Sequence, residues 1–300
     1  MSGVVAFVCS GQGSQRNGMI QEIAGADQAL LDELRTEAGD SITEPVVDAW
    51  LNPEIKNAPN SIVQGAIFFA TMLHFRAAMK SGADPTAVSG LSFGTYAAAV
   101  ISGALDLGTA FWLVLQRGLI TERIAAQDGG GLAAISGRFD LDAVTRHCSY
   151  GLKGTNELAT VANINSPRQI VISGNEEGLL AMESWASANG LAFKRLCIHG
   201  AFHSPLMNAA AYEMALSLES VVFSPFKLPF YCSVTGKLVT NPEDLRQILA
   251  DQINRPCNWI ETTEAMLNDG IDQFCEIGPG KALVGFCRDI ERQWKRRDTL

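Results

Sequence analysis

The five residues Gly90-Leu91-Ser92-Phe93-Gly94 constrain this chain most, because they join an apolar run to an alanine-rich one. Residues 86–91 read as a strand, and Tyr96 to Ala104 reads as a helix. Gly-x-Ser-x-Gly at such a junction lets the backbone turn sharply and lifts the serine hydroxyl out of the sheet at a helix N-terminus. Free N–H groups and the helix dipole there favour developing negative charge. Ordinary strand-to-helix turns use the same residue types, so the five residues alone leave open whether Ser92 is a nucleophile.

A serine hydroxyl needs a base. His203, in Gly200-Ala201-Phe202-His203-Ser204-Pro205, is the best placed of the four histidines, in a loop just past an expected strand. His199 falls at the end of that strand, whereas His74 and His147 lie in helical patterns. Oxyanion stabilisation needs preset donors, and the loop Gly11-Gln12-Gly13 after the apolar strand 4–9 can bring a backbone N–H to a reacting carbonyl. A plain glycine turn and an incidental loop histidine read the same way.

The rest of the chain suggests an α/β architecture. The stretch from Ile62 to Met79 is helix-compatible. From Gly131 to Ile198 the expected order is strand 131–136, helix 140–150, strands near 158–164 and 168–174, helix 176–189 and strand 191–198. That is β-α-β-β-α-β, a ferredoxin-like unit. Glycines flank it on both sides, so it is expected to be a small domain at 129–198, inserted into a large α/β-hydrolase-like domain with a parallel sheet formed by 1–128 and 199–300. The large domain resumes with a helix after Pro205 and strands near 228–234 and 272–277, and the basic tail Arg292 to Arg297 is expected to be a solvated helix end.

Composition excludes several alternatives. A net charge of −9 argues against a general nucleic-acid binder, though local Lys and Arg can still meet an anionic ligand. Seven cysteines stand singly and the histidines lack ligand spacing, so no disulfide framework and no metal site are expected. No apolar run approaches the roughly 20 residues of a membrane span, and no leader pattern opens the chain. A cytoplasmic protein without a membrane partner and without a bound cofactor is the expectation.

Six blocks in order carry a resemblance: Gly11-Gln12-Gly13-Ser14-Gln15, Gly90-Leu91-Ser92-Phe93-Gly94, Gln116-Arg117-Gly118, Asn165-Ser166-Pro167-Arg168-Gln169 with Val171-Ile172-Ser173-Gly174, Ala201-Phe202-His203-Ser204-Pro205, and Glu276-Ile277-Gly278-Pro279-Gly280-Lys281. Together they resemble the malonyl-CoA:acyl carrier protein transacylase family over nearly the whole chain. The resemblance implies that a CoA thioester acylates Ser92 and an acyl carrier protein accepts the group, with His203 as base and then acid. It implies an oxyanion hole from the N–H groups of Gln12 and Phe93, and a Gln252 backbone carbonyl that orients the histidine. Arg117 would grip the free carboxylate of malonyl through paired charge-assisted hydrogen bonds that an acetyl group would leave unmade. Leu91, Thr121 and Phe202 would line the acyl pocket. Phe202 matches a position where related polyketide acyltransferases with Ala-Phe-His prefer malonyl over methylmalonyl. Lys194 and Arg195 match a basic pair near the entrance for phosphopantetheine or the carrier, and Lys153 is a further such cation.

Three positions depart from the pattern: Leu91 for a histidine, Thr95 for a glutamate and Thr121 for a methionine. The Leu-Ser-Phe-Gly-Thr-Tyr-Ala-Ala-Ala run is similar to the malonyltransferase subunit of malonate decarboxylase. A stand-alone polyketide acyltransferase and a fatty-acid enzyme share the same half-reaction. Two other readings stand beside these. One is a serine hydrolase or thioesterase, although such enzymes generally place their histidine close to the C-terminus and roughly a hundred residues follow His203. The other is a degenerate, carrier-docking subunit.

Overall fold

The computed structural model describes residues 3–24, 27–39, 44–51, 54–55, 58–151 and 156–297. Ten strands, β1 (Val5–Cys9), β2 (Ala87–Gly90), β3 (Gly131–Ser136), β4 (Ala159–Ser166), β5 (Gln169–Gly174), β6 (Ala192–His199), β7 (Phe230–Cys232), β8 (Lys237–Val239), β9 (Cys257–Asn258) and β10 (Gln273–Ile277), form two five-stranded sheets among the described residues. The first runs β10-β1-β2-β7-β8, parallel except for the β7–β8 pair. A run such as Ala6-Phe7-Val8-Cys9, apolar without alternation, suits this central position, because helices cover a parallel sheet on both faces. All four of those residues are buried.

The second sheet runs β6-β3-β5-β4-β9. Its first four strands are antiparallel neighbours and follow the expected β-α-β-β-α-β succession, with helices Leu141–Arg146 and Glu176–Ala188 between strands. The fifth strand goes beyond that expectation. Cys257 and Asn258 pair in parallel with Asn163 and Ile164 of β4, so a segment beyond residue 199 completes this sheet. Two residues after Pro256 are too few to show any periodicity.

Helix Asn60–Lys80 packs beside helix Leu107–Asp128, with Phe68 meeting Phe111 edge-on at 4.7 Å between ring centroids. By length and composition alone Asn60–Lys80 is apolar enough to cross a membrane. In this fold it is a core helix, since every residue from Val63 to Leu73 is buried in protein. The expected C-terminal helix is Ala282–Arg297, and its basic end is held by ion pairs that include Lys295–Glu291 and Arg297–Glu264.

Candidate active site

The carboxyl ends of neighbouring parallel strands converge, and ligands of open α/β sheets bind outside such ends. Gln12 follows β1, Ser92 follows β2, and Gly278 to Lys281 follow β10. Ser92 holds φ 51°, a left-handed conformation rare for a residue with a side chain. The turn closes only because its flanks lack Cβ atoms: one on Gly90 would sit 2.2 Å from the Gly94 carbonyl carbon, and one on Gly94 would sit 2.2 Å from the Cys9 carbonyl oxygen.

His203 also has a left-handed backbone, φ 62°, and its N–H donates to the Ile253 carbonyl at 2.8 Å. This turn aims Nε2 at the Ser92 Oγ, 2.7 Å away. On the other side of the ring, Nδ1 lies 2.9 Å from the Arg255 carbonyl oxygen. A carbonyl only accepts, so Nδ1 carries the proton and Nε2 is left to accept the serine hydroxyl's. Burial, aided by the Arg117 charge and opposed by the Arg255 and Gln252 backbone contacts, pushes the His203 pKa down to about 4. A neutral imidazole at this distance can take the Ser92 proton at neutral pH.

Above this pair opens a cavity of about 580 Å³, lined by Gln12, Leu91, Ser92, Phe202, His203 and Arg117, and by Asn163, Asn165, Gln169 and Lys194 of the second sheet. Arg117 is only 1% exposed, and its Nε and Nη1 have no hydrogen-bond partner among the described residues. Its guanidinium carbon lies 5.2 Å from the ring centroids of both Phe93 and Phe202. Burial pulls its pKa down to about 10, which still leaves it charged at neutral pH. A buried cation with unsatisfied N–H groups in the wall of a cavity is poised for an anion.

The acyl transferase domain family matches residues 6–293. The chain belongs to that family. It is similar to the malonyl CoA-acyl carrier protein transacylase of Escherichia coli (strain K12), 30% identical over 293 residues that cover 95% of this chain and 92% of the relative. It is equally similar, at 30% over 292 residues, to the polyketide biosynthesis malonyl CoA-acyl carrier protein transacylase PksC of Bacillus subtilis (strain 168), with 96% and 98% covered. A solved complex of a type II polyketide synthase acyl carrier protein with its malonyl-transacylase superposes with a TM-score of 0.88 at 29% identity, covering 96% of this chain and 93% of that one.

The geometry refines four of the residue expectations. The carbonyl hydrogen-bonded to His203 Nδ1 is that of Arg255, not Gln252, whose backbone is only the weaker of two contacts that raise the histidine's pKa. The reason is local. The helix Asp244–Asp251 runs into turns at 252–254 and a bend at Arg255 just before Pro256, so the chain reverses there with the Arg255 carbonyl on the histidine. Thr121 does not reach the cavity: it is fully buried one helical turn beyond Arg117, accepting from Gln64 Nε2 at 3.2 Å and donating to the Gly118 carbonyl at 3.3 Å. Lys194 and Arg195 do not act as a pair, because successive strand residues face opposite ways. Lys194 faces the cavity, whereas Arg195 is bonded to Glu176 at 2.8 Å. Lys153 lies outside the described residues.

Leu91 and Phe202 do line the cavity, and the Phe93 ring is buried beneath Arg117. Gln12 is fixed from behind, its Nε2 donating to Asn60 Oδ1 at 2.8 Å and its Oε1 accepting from Gln64 at 3.1 Å. The amides Asn163, Asn165 and Gln169 had no assigned role from sequence. Asn165 and Gln169 sit in one of the six blocks, and their spacing across a strand turn was the available signal.

Proposed function

We propose that this chain is a malonyltransferase that accepts a malonyl group from CoA on Ser92 and passes it to the phosphopantetheine thiol of an acyl carrier protein. The observation that carries the reading is the buried guanidinium of Arg117, its Nε and Nη1 without a partner among the described residues, in the wall of the cavity that holds Ser92 and His203. A carboxylate-bearing acyl group satisfies it, and an acetyl group leaves it unpaired.

Ser92 Oγ attacks the thioester carbonyl as His203 Nε2 takes its proton. The backbone N–H groups of Gln12 and Phe93 hold the oxyanion. The C–S bond breaks, CoA leaves with the proton from His203, and the carrier thiol then repeats the sequence in reverse, which makes the kinetics ping-pong. Phe202 crowds the acyl α-carbon, and Leu91 gives the pocket an apolar wall. Asn163, Asn165 and Gln169 offer hydrogen bonds to the amide-bearing pantetheine arm, and Lys194 meets its phosphate.

The large sheet with its helices reads as the α/β-hydrolase-like domain 1–128 and 199–300. The 129–198 unit reads as ferredoxin-like, supported by the strand order β6-β3-β5-β4. Seven unpaired cysteines fit a reducing cytoplasm.

Transfer is favoured over hydrolysis. His203 is oriented by a carbonyl instead of the acid of a Ser-His-Asp triad, and the cavity binds its acyl group through a cation. The test is release of CoA from malonyl-CoA with and without a phosphopantetheinylated carrier. Turnover that requires the carrier supports transfer; malonate release at a rate independent of carrier marks a hydrolase.

A further inference from the structure

Ser92 lies two residues past β2, and Ser233 lies one residue past β7, the adjacent parallel strand, in register through Gly90 and Cys232. The Ser92 N–H donates to Ser233 Oγ at 3.3 Å, and the Ser233 hydroxyl donates to Cys257 Sγ at 3.8 Å. The same sulfur lies 3.8 Å from His203 Nδ1. Ser233 is itself anchored to β9, because the Asn258 N–H donates to its carbonyl at 2.7 Å. Ser233 and Cys257 are fully buried.

We propose that Ser233 and Cys257 are positioning residues, a buried hydroxyl–thiol bridge that holds the left-handed Ser92 turn and the His203 ring in register with each other. This rests on reading Ser92 and His203 as nucleophile and base. Strained backbone of this kind persists only where its surroundings over-determine it. At Ser92 the over-determination comes from the missing Cβ atoms of its flanking glycines and from the Ser233 oxygen that satisfies its N–H. With that N–H engaged behind the turn, the next amide, that of Phe93, is the one left for the oxyanion.

The thiol suits the second half of the bridge. Sulfur is larger and softer than oxygen and reaches two partners at 3.8 Å, where a hydroxyl needs about 2.8 Å. Burial pushes the Cys257 pKa up to about 12, so it stays a neutral thiol. It therefore buttresses the imidazole without adding a charge, and the charge His203 feels is that of Arg117.

The test uses the full chain and two readouts: the rate at which a fluorophosphonate probe labels Ser92, followed by intact mass, and the kcat and KM for malonyl-CoA. Ser233→Ala and Cys257→Ala each remove one member of the bridge without adding bulk. Each is expected to slow labelling and kcat by about tenfold, the effect of one net hydrogen bond, with KM within about twofold. Because the two act as one unit, the double variant is expected to be no slower than the slower single variant. Wild-type labelling rates in both single variants overturn the proposal, as does a multiplicative loss in the double variant or a loss confined to KM. A wild-type protein that the probe does not label at Ser92 overturns the nucleophile reading itself, and the bridge with it.

Discussion

Replacing Arg117 with methionine separates binding of the substrate carboxylate from stability of the fold, because the two effects have opposite signs. In the wild type the guanidinium is buried, charged and, among the described residues, without partners at Nε and Nη1. A malonyl carboxylate entering the cavity of the Arg117→Met variant would be desolvated with no counter-charge, a loss of about 3–5 kcal/mol for breaking a buried pair. That is roughly 10²- to 10⁴-fold in kcat/KM for malonyl-CoA. Acetyl-CoA, which never paired with Arg117, should change by less than about threefold. The free protein moves the other way. Arg117→Met removes an uncompensated ion whose desolvation costs several kcal/mol. The contacts with Phe93 and Phe202 give back about 1–2 kcal/mol each at most, and methionine keeps favourable sulfur–ring contacts. A net gain of about 1–3 kcal/mol raises Tm by about 2–6 °C for a chain of this size. Coupled assays with the two thioesters and a thermal melt without ligand read both signs. Equal losses for malonyl and acetyl transfer, or a lower Tm, would refute the reasoning and make Arg117 a structural residue.

Burial holds His203 near 4 in the folded chain, whereas the unfolded histidine titrates at its ordinary 6.5. Between these values the unfolded state binds the extra proton, so the stability from His203 is complete above about pH 6.5 and lost as pH falls towards 4; the acid limb of kcat/KM should lie well below 6.5, and a limb at or above 6.5 contradicts the assignment. Lys194→Ala should raise KM for the carrier or for CoA several-fold, more at low salt, while Arg195→Ala should leave both unchanged and cost under about 1 kcal/mol in a denaturant melt. Gly94→Ala forces a Cβ to within 2.2 Å of the Cys9 carbonyl oxygen, so it should cost more than about 4 kcal/mol of stability, with loss of soluble protein or a much lower denaturant midpoint as the readout.

What the sequence made legible was whatever is local. The elbow, the apolar strand β1, the order of elements from 131 to 199 and the positions of Ser92, His203 and Arg117 are each set by short-range pattern or by a compact motif. What it hid depends on contacts distant in sequence. Arg255 reaches His203 across 52 positions, through a carbonyl that carries no side-chain signature. Cys257 and Asn258 join the second sheet only because that sheet is already built beside them. The family resemblance put Thr121 in the acyl pocket, but Gln64 takes up its hydroxyl instead. Lys194 and Arg195 are adjacent in sequence, and the strand's alternation sends them to different surroundings, a consequence that was available from the strand expectation itself.

The role proposed for Ser92 is to carry a carboxylate-bearing acyl group on its way to a carrier. Its most direct test is the intact mass of the protein after brief exposure to malonyl-CoA at neutral pH, with the site located by peptide mapping. One malonyl adduct on Ser92 is expected, absent from Ser92→Ala and discharged when a phosphopantetheinylated carrier is added. A protein that forms no adduct, or forms it on another residue, would mean that Ser92 is not the acyl-carrying nucleophile.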